Sequence, residues 1–170
     1  MNRRLSLLLS VLMLASGAFA GWGLHRARVE GNSPGVRNVA LTDNGHTAEV
    51  LSQVTAAVER LFSYDHLEPD KTHQAARELL TGDAIAQYEH LFGPVRETAP
   101  ERRLVLTTQV GHAAVRSLDG GRAHLLVFAD QAGTAADGPG EGAEAAAMLA
   151  VDAVRRDGRW LLSGLDRLEG

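Results

Sequence analysis

The length, composition and charge of this chain fit one folded domain and exclude several classes of protein. It has 170 residues, of which 45% are hydrophobic and 22% charged, and its formal net charge is −4, so it lacks the basic surface by which proteins bind nucleic acid. It contains no cysteine, which excludes disulfide bonds and every thiolate-bound zinc or iron–sulfur site.

The N-terminus predicts a targeting segment. Arg3 and Arg4 precede residues 5–24, a stretch without charge that as a helix would span about 30 Å, the thickness of a membrane's hydrocarbon core. As an anchor it would keep the two arginines in the cytoplasm and place the rest of the chain outside. A cleaved signal peptide is the alternative, because residues 18–20 form a small-x-small cleavage site that ends at Ala20, and the protein would then be secreted. Both interpretations place the domain outside the cytoplasm.

The predicted anchor or signal segment covers residues 1–28, and the rest of the chain divides into a linker and one domain. Residues 29–43 are rich in glycine, asparagine and other polar residues and show little apolar pattern, which is typical of a linker. Because periodic apolar patterns begin after this stretch, we expect one folded domain over residues 44–170.

This domain begins with a strong helical pattern. Apolar side chains recur at i, i+3, i+4 and i+7 from Val50 to Phe62, which predicts an amphipathic helix with Thr47 or Asn44 as its N-cap. The pattern ends at Ser63.

Two shorter helices are predicted next. Pro69 suits the first turn of a helix that carries apolar residues up to Leu80, and residues 81–83 interrupt it. Gly93-Pro94 should kink or end a third helix, because proline removes a hydrogen bond and clashes with the preceding turn. The side of the third helix that is expected to pack carries Ile85, Tyr88, Leu91, Phe92 and Val95.

From Leu104 the pattern becomes that of β-strands. Residues 104–110 are rich in β-branched side chains, the strand continues to Val115, and Gly120-Gly121 supplies a turn before a second strand at 123–130. This pairing places one set of side chains on one face of the sheet, namely Leu104, Leu106, Val110, Leu125 and Val127. The opposite face receives Val105, Val115, His124, Leu126 and Phe128.

A second hairpin is predicted at the end of the chain. Two mostly apolar runs flank Asp157-Gly158, a pair that readily forms a type I′ turn, whereas residues 132–143 before them have the composition of a long loop. With this turn, Ala153 lies opposite Leu162. The shared face carries Leu149, Val151, Ala153, Trp160 and Leu162. Trp160 is therefore expected in the core, with a pocket or partner contact as the alternative.

Few side chains suggest catalysis. Tyr64-Asp65-His66 gathers three groups that can transfer protons, but consecutive residues of a helix diverge by about 100° each. A helix end, with Asp65 capping the next turn, is the favoured interpretation. The histidines lack the spacing of helical zinc ligands, and the serines lack a Gly-x-Ser-x-Gly elbow. We therefore expect no catalytic residue, no metal and no cofactor.

The predicted order of elements resembles a known superfamily. Three helices followed by a meander of four strands are an α+β order in which helices pack on a curved antiparallel sheet. This order resembles the cone-shaped domain of the nuclear transport factor two superfamily. The whole chain is similar to membrane-associated proteins encoded beside the mammalian-cell-entry (Mce) lipid importers of actinobacteria. The residues that carry this similarity are the N-terminal apolar span and residues 61–65, 75–88, 126–131 and 154–162.

The resemblance implies a non-catalytic accessory protein, anchored in the cytoplasmic membrane through residues 5–24, that scaffolds or stabilises an Mce-type importer of lipids or sterols. Its partners would be transporter subunits or other envelope proteins, with a lipid or sterol as a ligand and a homodimer as a further option. A lipid-binding cone domain and a small isomerase or dehydratase are the alternatives, because this fold hosts all of these functions. Our candidate pocket or interface residues are Tyr64, Phe128 and Trp160.

Overall fold

The computed structural model describes residues 44–135 and 143–168, which form an α+β domain. Its elements are α1 (Asn44–Phe62), β1 (Tyr64–Asp65), α2 (Pro69–Leu79), α3 (Ala84–Thr98), β2 (Val105–Asp119), β3 (Arg122–Thr134), β4 (Ala143–Arg156) and β5 (Arg159–Leu168). The predicted targeting segment, the linker and residues 136–142 of the predicted loop lie outside the described residues. None of the helices described is both long and apolar enough to span a membrane.

The first two helices form where their sequence patterns predict them. In α1 the apolar stripe is buried, including Val50, Val54 and Val58. Pro69 lies in the first turn of α2, where a backbone N–H would have no partner within the helix. Local sequence therefore determines both helices.

The third helix differs from its prediction at two points. Of the two outcomes predicted for Gly93-Pro94, a kink or an end, the end is wrong, because the helix continues past Pro94 to Thr98. Pro94 leaves the carbonyl of His90 without its donor within the helix, and His90 is an exposed residue. Ile85 is 53% exposed instead of packed, because α3 turns a neighbouring stripe that includes Ala84 toward the core.

The sheet has five antiparallel strands in the order β1-β2-β3-β4-β5, one more than predicted. The additional strand is β1, in which Tyr64 pairs with Leu106 and Asp65 with Val105. Two residues are too short to show an alternating pattern, so the sequence gives no signal for this strand. The loop predicted over 132–143 is shorter at both ends, because pairing between β3 and β4 extends through this alanine-rich stretch despite its low β-propensity.

Both predicted hairpin turns are present. Asp119 pairs with Arg122 around Gly120-Gly121, and Arg156 pairs with Arg159 around Asp157-Gly158. The φ angles of Asp157 and Gly158 are 51° and 78°, as a type I′ turn requires. Ala153 lies opposite Leu162 as predicted. The predicted face of this hairpin is buried at all five positions, Leu149, Val151, Ala153, Trp160 and Leu162.

Two irregularities in β2 change which side chains face the helices. The register with β3 shifts between Val110 and His112 and again between Val115 and Ser117. Each extra residue turns the following side chains to the opposite face. Val115 consequently pairs with Leu125 on the helix side, and its predicted place on the other face is wrong.

Side chains of α1, α3 and Ser63 accept hydrogen bonds from the backbone on the two outer sides of the sheet, along β5 and along the part of β2 beyond its pairing with β1. Four N–H groups on the outer edges of β2 and β5 donate to side-chain oxygens. These pairs are Thr108 to Ser63 (3.0 Å), Val110 to Glu59 (3.0 Å), Trp160 to Gln53 (2.9 Å) and Leu165 to Gln87 (2.8 Å). The helices therefore contact the sheet through edge hydrogen bonds as well as through apolar packing.

The C-terminal end of α1 is capped by side chains from three other elements. Carbonyl groups in the last turn of a helix have no partner within it. Here hydroxyl groups donate to three successive carbonyls: Tyr88 of α3 to Leu61 (2.7 Å), Thr108 of β2 to Phe62 (2.7 Å) and Thr72 of α2 to Ser63 (3.0 Å). All three donors are buried, and they join the helices to the sheet at one point.

Candidate interaction surface and cavity

The three aromatic residues singled out in the sequence lie in different places. Tyr64 in β1 and Trp160 in β5 are each 4% exposed, at opposite edges of the sheet. Phe128 in β3 is 45% exposed on the face that the helices do not cover. The structure therefore does not bring the three side chains together, and Phe128 alone is available at the surface.

Phe128 lies at the centre of an apolar area on the uncovered face of the sheet. It pairs with Met148 across β3 and β4, and Leu126 beside it pairs with Ala150. Leu168 of β5 extends this area because it pairs with Met148 on the other side. We call these five residues, Leu126, Phe128, Met148, Ala150 and Leu168, the open-face patch.

One end of the open-face patch carries a histidine–aspartate pair. His124 and Asp152 lie opposite each other on β3 and β4, and the distance from Nδ1 to Oδ1 is 2.5 Å. Gly164 leaves room for this pair, because a Cβ atom built there would lie 3.0 Å from Asp152 Oδ2. Both side chains are more than half exposed, so water surrounds them and the enclosed environment of an active site is missing.

A cavity of about 240 Å³ lies on the opposite, helix-covered side of the sheet. Its walls are mostly apolar and come from α1, α3 and the middle of the sheet. Its apolar lining includes Phe92, Val95, Ala129, Ala147 and Leu149, and its polar members are Thr108, Gln131 and Arg167. Sequence reasoning did not identify Gln131 or Arg167. The one available signal was the alanine run at residues 145–147, which is unusual in a strand.

An aromatic cluster forms one wall of this cavity. The ring centroid of Phe62 is 5.5 Å from those of both Tyr88 and Phe92. Tyr88 is fully buried behind this wall, and burial raises its pKa above the usual range. The Tyr88 hydroxyl is therefore a neutral donor to Leu61 at physiological pH and serves the structure.

Tyr64 and Asp65 form β1 instead of the predicted helix end, because the chain pairs with β2 directly after α1, and His66 begins the turn that follows. Asp65 Oδ1 accepts a hydrogen bond from the Leu67 N–H at 2.9 Å, which caps the turn leading toward α2. His66 Nδ1 is 3.7 Å from Asp65 Oδ1, and the surface groove beside β1 is lined by Tyr64 and Asp65 but not by His66. The three side chains consequently do not converge on one reactive point.

Within the described residues, no three histidine, aspartate or glutamate side chains gather in a way that could hold a metal ion.

The chain is similar to two proteins of Mycobacterium tuberculosis. These are the uncharacterized proteins MT1407, of strain CDC 1551 / Oshkosh, and Rv1362c, of strain ATCC 25618 / H37Rv. Each is 30% identical to this chain over 157 residues, which covers 92% of this chain and 67% of the relative. No protein-family model matches the chain.

Several solved structures share the fold at low sequence identity. The periplasmic domain of DotI aligns with a TM-score of 0.61 at 12% identity, over 72% of this chain and 95% of that domain. A periplasmic fragment of TraM has the same TM-score at 11% identity, over 73% and 98% of the two chains. An IcmL-like type IV secretion system protein of Legionella pneumophila also reaches 0.61, at 9% identity, over 71% and 91%. These likenesses establish the fold of the domain.

Proposed function

This chain belongs to the family of MT1407 and Rv1362c of Mycobacterium tuberculosis, and we propose that it is a non-catalytic accessory protein of the cell envelope. In this proposal residues 1–28 anchor it in the cytoplasmic membrane, residues 29–43 are a linker, and residues 44–170 form an extracytoplasmic domain. Its task would be to scaffold or stabilise an Mce-type importer of lipids or sterols.

The open-face patch is the observation that carries the proposal. Phe128 is large, apolar and 45% exposed at the centre of the patch, whereas the large apolar side chains of the described domain other than Leu67, Ile85 and Phe128 are buried or half-buried. Contiguous apolar areas on otherwise polar surfaces mark sites where proteins bind each other. His124, Asp152 and Asp130 border the patch, and an apolar centre with a polar rim is the usual anatomy of a protein interface.

Two further observations support an envelope accessory role. The fold is one that DotI and TraM use for domains described as periplasmic, which agrees with the extracytoplasmic location inferred from the N-terminal sequence. The Mce assignment rests on the similarity in sequence pattern described above. The side chains of Tyr64, Asp65 and His66 do not converge on one point, which favours binding over catalysis as the function of the domain.

The test is co-purification of the full chain from native membranes. A C-terminal tag would be used to recover the chain after gentle solubilisation, and mass spectrometry would identify the bound proteins and the intact mass of the chain. We expect an uncleaved chain together with transporter subunits. A chain that begins at Gly21 would contradict the anchor, and recovery without any envelope protein would contradict the accessory role.

A pair of variants then tests the open-face patch itself. Phe128→Asp places a charge at the centre of the interface, and we expect the recovery of the partner to fall roughly tenfold or more, since central aromatic residues dominate binding energy. Leu67→Asp is the matched control, because Leu67 is 75% exposed and lies in the turn before α2, away from the patch. Equal recovery with the two variants would show that the partner binds elsewhere.

A further inference from the structure

We propose that the cavity between α3 and the sheet binds the end of a single-chain amphiphile with a carboxylate head group, and that Arg167 binds the carboxylate. This inference does not rest on the accessory role. The cavity and the open-face patch lie on opposite faces of the sheet, so either site can be tested and can fail without the other.

Small side chains on the sheet create the cavity. Ala129 and Ala147 pair across β3 and β4 and, like the neighbouring Leu149, face the helices. Phe92 and Val95 of α3 line the other side. Alanine is too short to fill the space between these two surfaces, so the middle of the cavity is open and lined by hydrocarbon groups. An apolar ligand gains binding free energy in proportion to the apolar surface that it buries in such a space.

The volume limits the ligand to one chain end. A cavity of 240 Å³ has roughly the liquid volume of eight water molecules, and it is below the range of about 300–1,000 Å³ that is typical for drug-sized ligands. Two acyl chains could not both enter it. The occupant that fits is a single extended chain whose remainder projects outward.

The charge of the lining selects an anionic head group. Arg167 pairs with Leu149 on β4 and β5, so its side chain emerges on the cavity side of the sheet. No acidic residue lines the cavity, and none of the salt bridges among the described residues includes Arg167, which is exposed and therefore lies where the cavity meets solvent. A guanidinium group binds a carboxylate through two parallel hydrogen bonds.

The other polar groups of the lining are already engaged. The Thr108 hydroxyl donates to the Phe62 carbonyl at 2.7 Å, and Gln131 Nε2 donates to Thr108 Oγ1 at 3.0 Å. These bonds fix that end of the cavity as part of the α1 cap. Arg167 is therefore the lining group with donors available for a ligand.

Photo-crosslinking of the full chain in native membranes tests the proposal. The probe is decanoic acid that carries a diazirine at its methyl end. Comparison probes have the same chain with a primary alcohol or a quaternary ammonium head group, and a phosphatidic acid carries the same diazirine on one of its two chains. After irradiation and trypsin digestion, we expect the carboxylate probe to label the peptides of residues 78–96 and 123–155, at least tenfold more than the alcohol or ammonium probe does.

Variants connect this labelling to the cavity. Ala147→Leu should fill the cavity and lower the labelling of both peptides at least tenfold, whereas Ala150→Leu, on the opposite face of the same strand, should leave it unchanged. Arg167→Gln should lower labelling by the carboxylate probe to the level of the alcohol probe. Arg167→Lys should retain most of the labelling, and Arg156→Gln in the exposed hairpin is the control for loss of one positive charge.

Several results would overturn the proposal. Equal labelling by the carboxylate and alcohol probes, or unchanged labelling in Arg167→Gln, would remove the role of Arg167. Labelling outside the two peptides would remove the cavity as the site. Labelling by the phosphatidic acid probe alone would replace the single-chain carboxylate with a two-chain phospholipid as the ligand. Because none of these results depends on Phe128 or on a bound protein, they leave the accessory role to its own test.

Discussion

Replacement of Tyr88 by phenylalanine tests the capped end of α1. The Tyr88 hydroxyl is buried and donates to the Leu61 carbonyl at 2.7 Å, so Tyr88→Phe leaves a buried acceptor without its donor. Loss of one partner of a buried hydrogen bond costs about 1–3 kcal/mol. We expect the free energy of unfolding of a fragment of residues 44–170 to fall by this amount in urea titrations at pH 8. Tyr64→Phe is the control, because the Tyr64 hydroxyl has no hydrogen-bond partner in the described part of the chain.

The same variant predicts a difference in pH dependence. Burial raises the pKa of Tyr88 in the folded state above the value of about 10 that tyrosine has in an unfolded chain. Its contribution to stability is therefore complete below pH 10 and is lost as the pH rises above 10 toward the folded-state pKa, by about 1.4 kcal/mol at pH 11. Tyr88→Phe lacks this loss, so the stability gap between the two proteins should narrow by that amount from pH 8 to pH 11. A gap that is absent at pH 8, or constant over this range, would refute the reasoning.

Three further substitutions test other parts of the domain. Trp160→Ala should lower the free energy of unfolding by about 3–5 kcal/mol in the same titration, and a change below about 1 kcal/mol would contradict its place in the core. Gly164→Ala should displace the Asp152 carboxylate from His124 and shift the imidazole signals of His124 in NMR spectra, whereas unchanged signals would show that the strand accommodates the methyl group. Gln53→Leu removes the acceptor for the Trp160 N–H, so hydrogen exchange of that amide should accelerate, and unchanged exchange would mean that the bond is not protective.

The parts of the fold that depend on local chemistry were predictable from the sequence. The stripe of α1 follows from 3.6-residue periodicity, and the two hairpins follow from Gly120-Gly121 and Asp157-Gly158, since few other residues tolerate positive φ angles. In each hairpin the turn fixes the register of the residues next to it. The faces of β4 and β5 were correct for this reason.

The parts that depend on distant contacts were not predictable in this way. The bulges in β2 move Val115 to the helix side. An isolated glycine, Gly111, lies at the first bulge and is a weak local signal for it, whereas no such residue marks the second. The short strand β1 exists because the chain leaving α1 meets the start of β2. The helix α3 continues through Pro94, and His90, whose carbonyl loses its donor, is an exposed residue only in the folded arrangement.

The candidate sites show the same division. The face on which Phe128 lies was predictable because alternation along β3 places it opposite Leu125 and Val127. Arg167 was missed because its role depends on what surrounds it: a space left by alanines on two other strands and the absence of an acidic neighbour in the lining. Such a site becomes visible only when the strands are assembled.

The side-chain bonds along the sheet edges limit how the domain can self-associate. Antiparallel sheets polymerise when the free edge of one molecule adds to the edge of another, which is the first step toward cross-β fibrils. At Thr108, Val110, Trp160 and Leu165 the outward N–H groups are already occupied by side chains of the same molecule. A strand from a neighbouring molecule would have to displace these intramolecular acceptors. This arrangement protects the domain from fibril growth at those positions while the face that bears Phe128 stays open for contact with another protein.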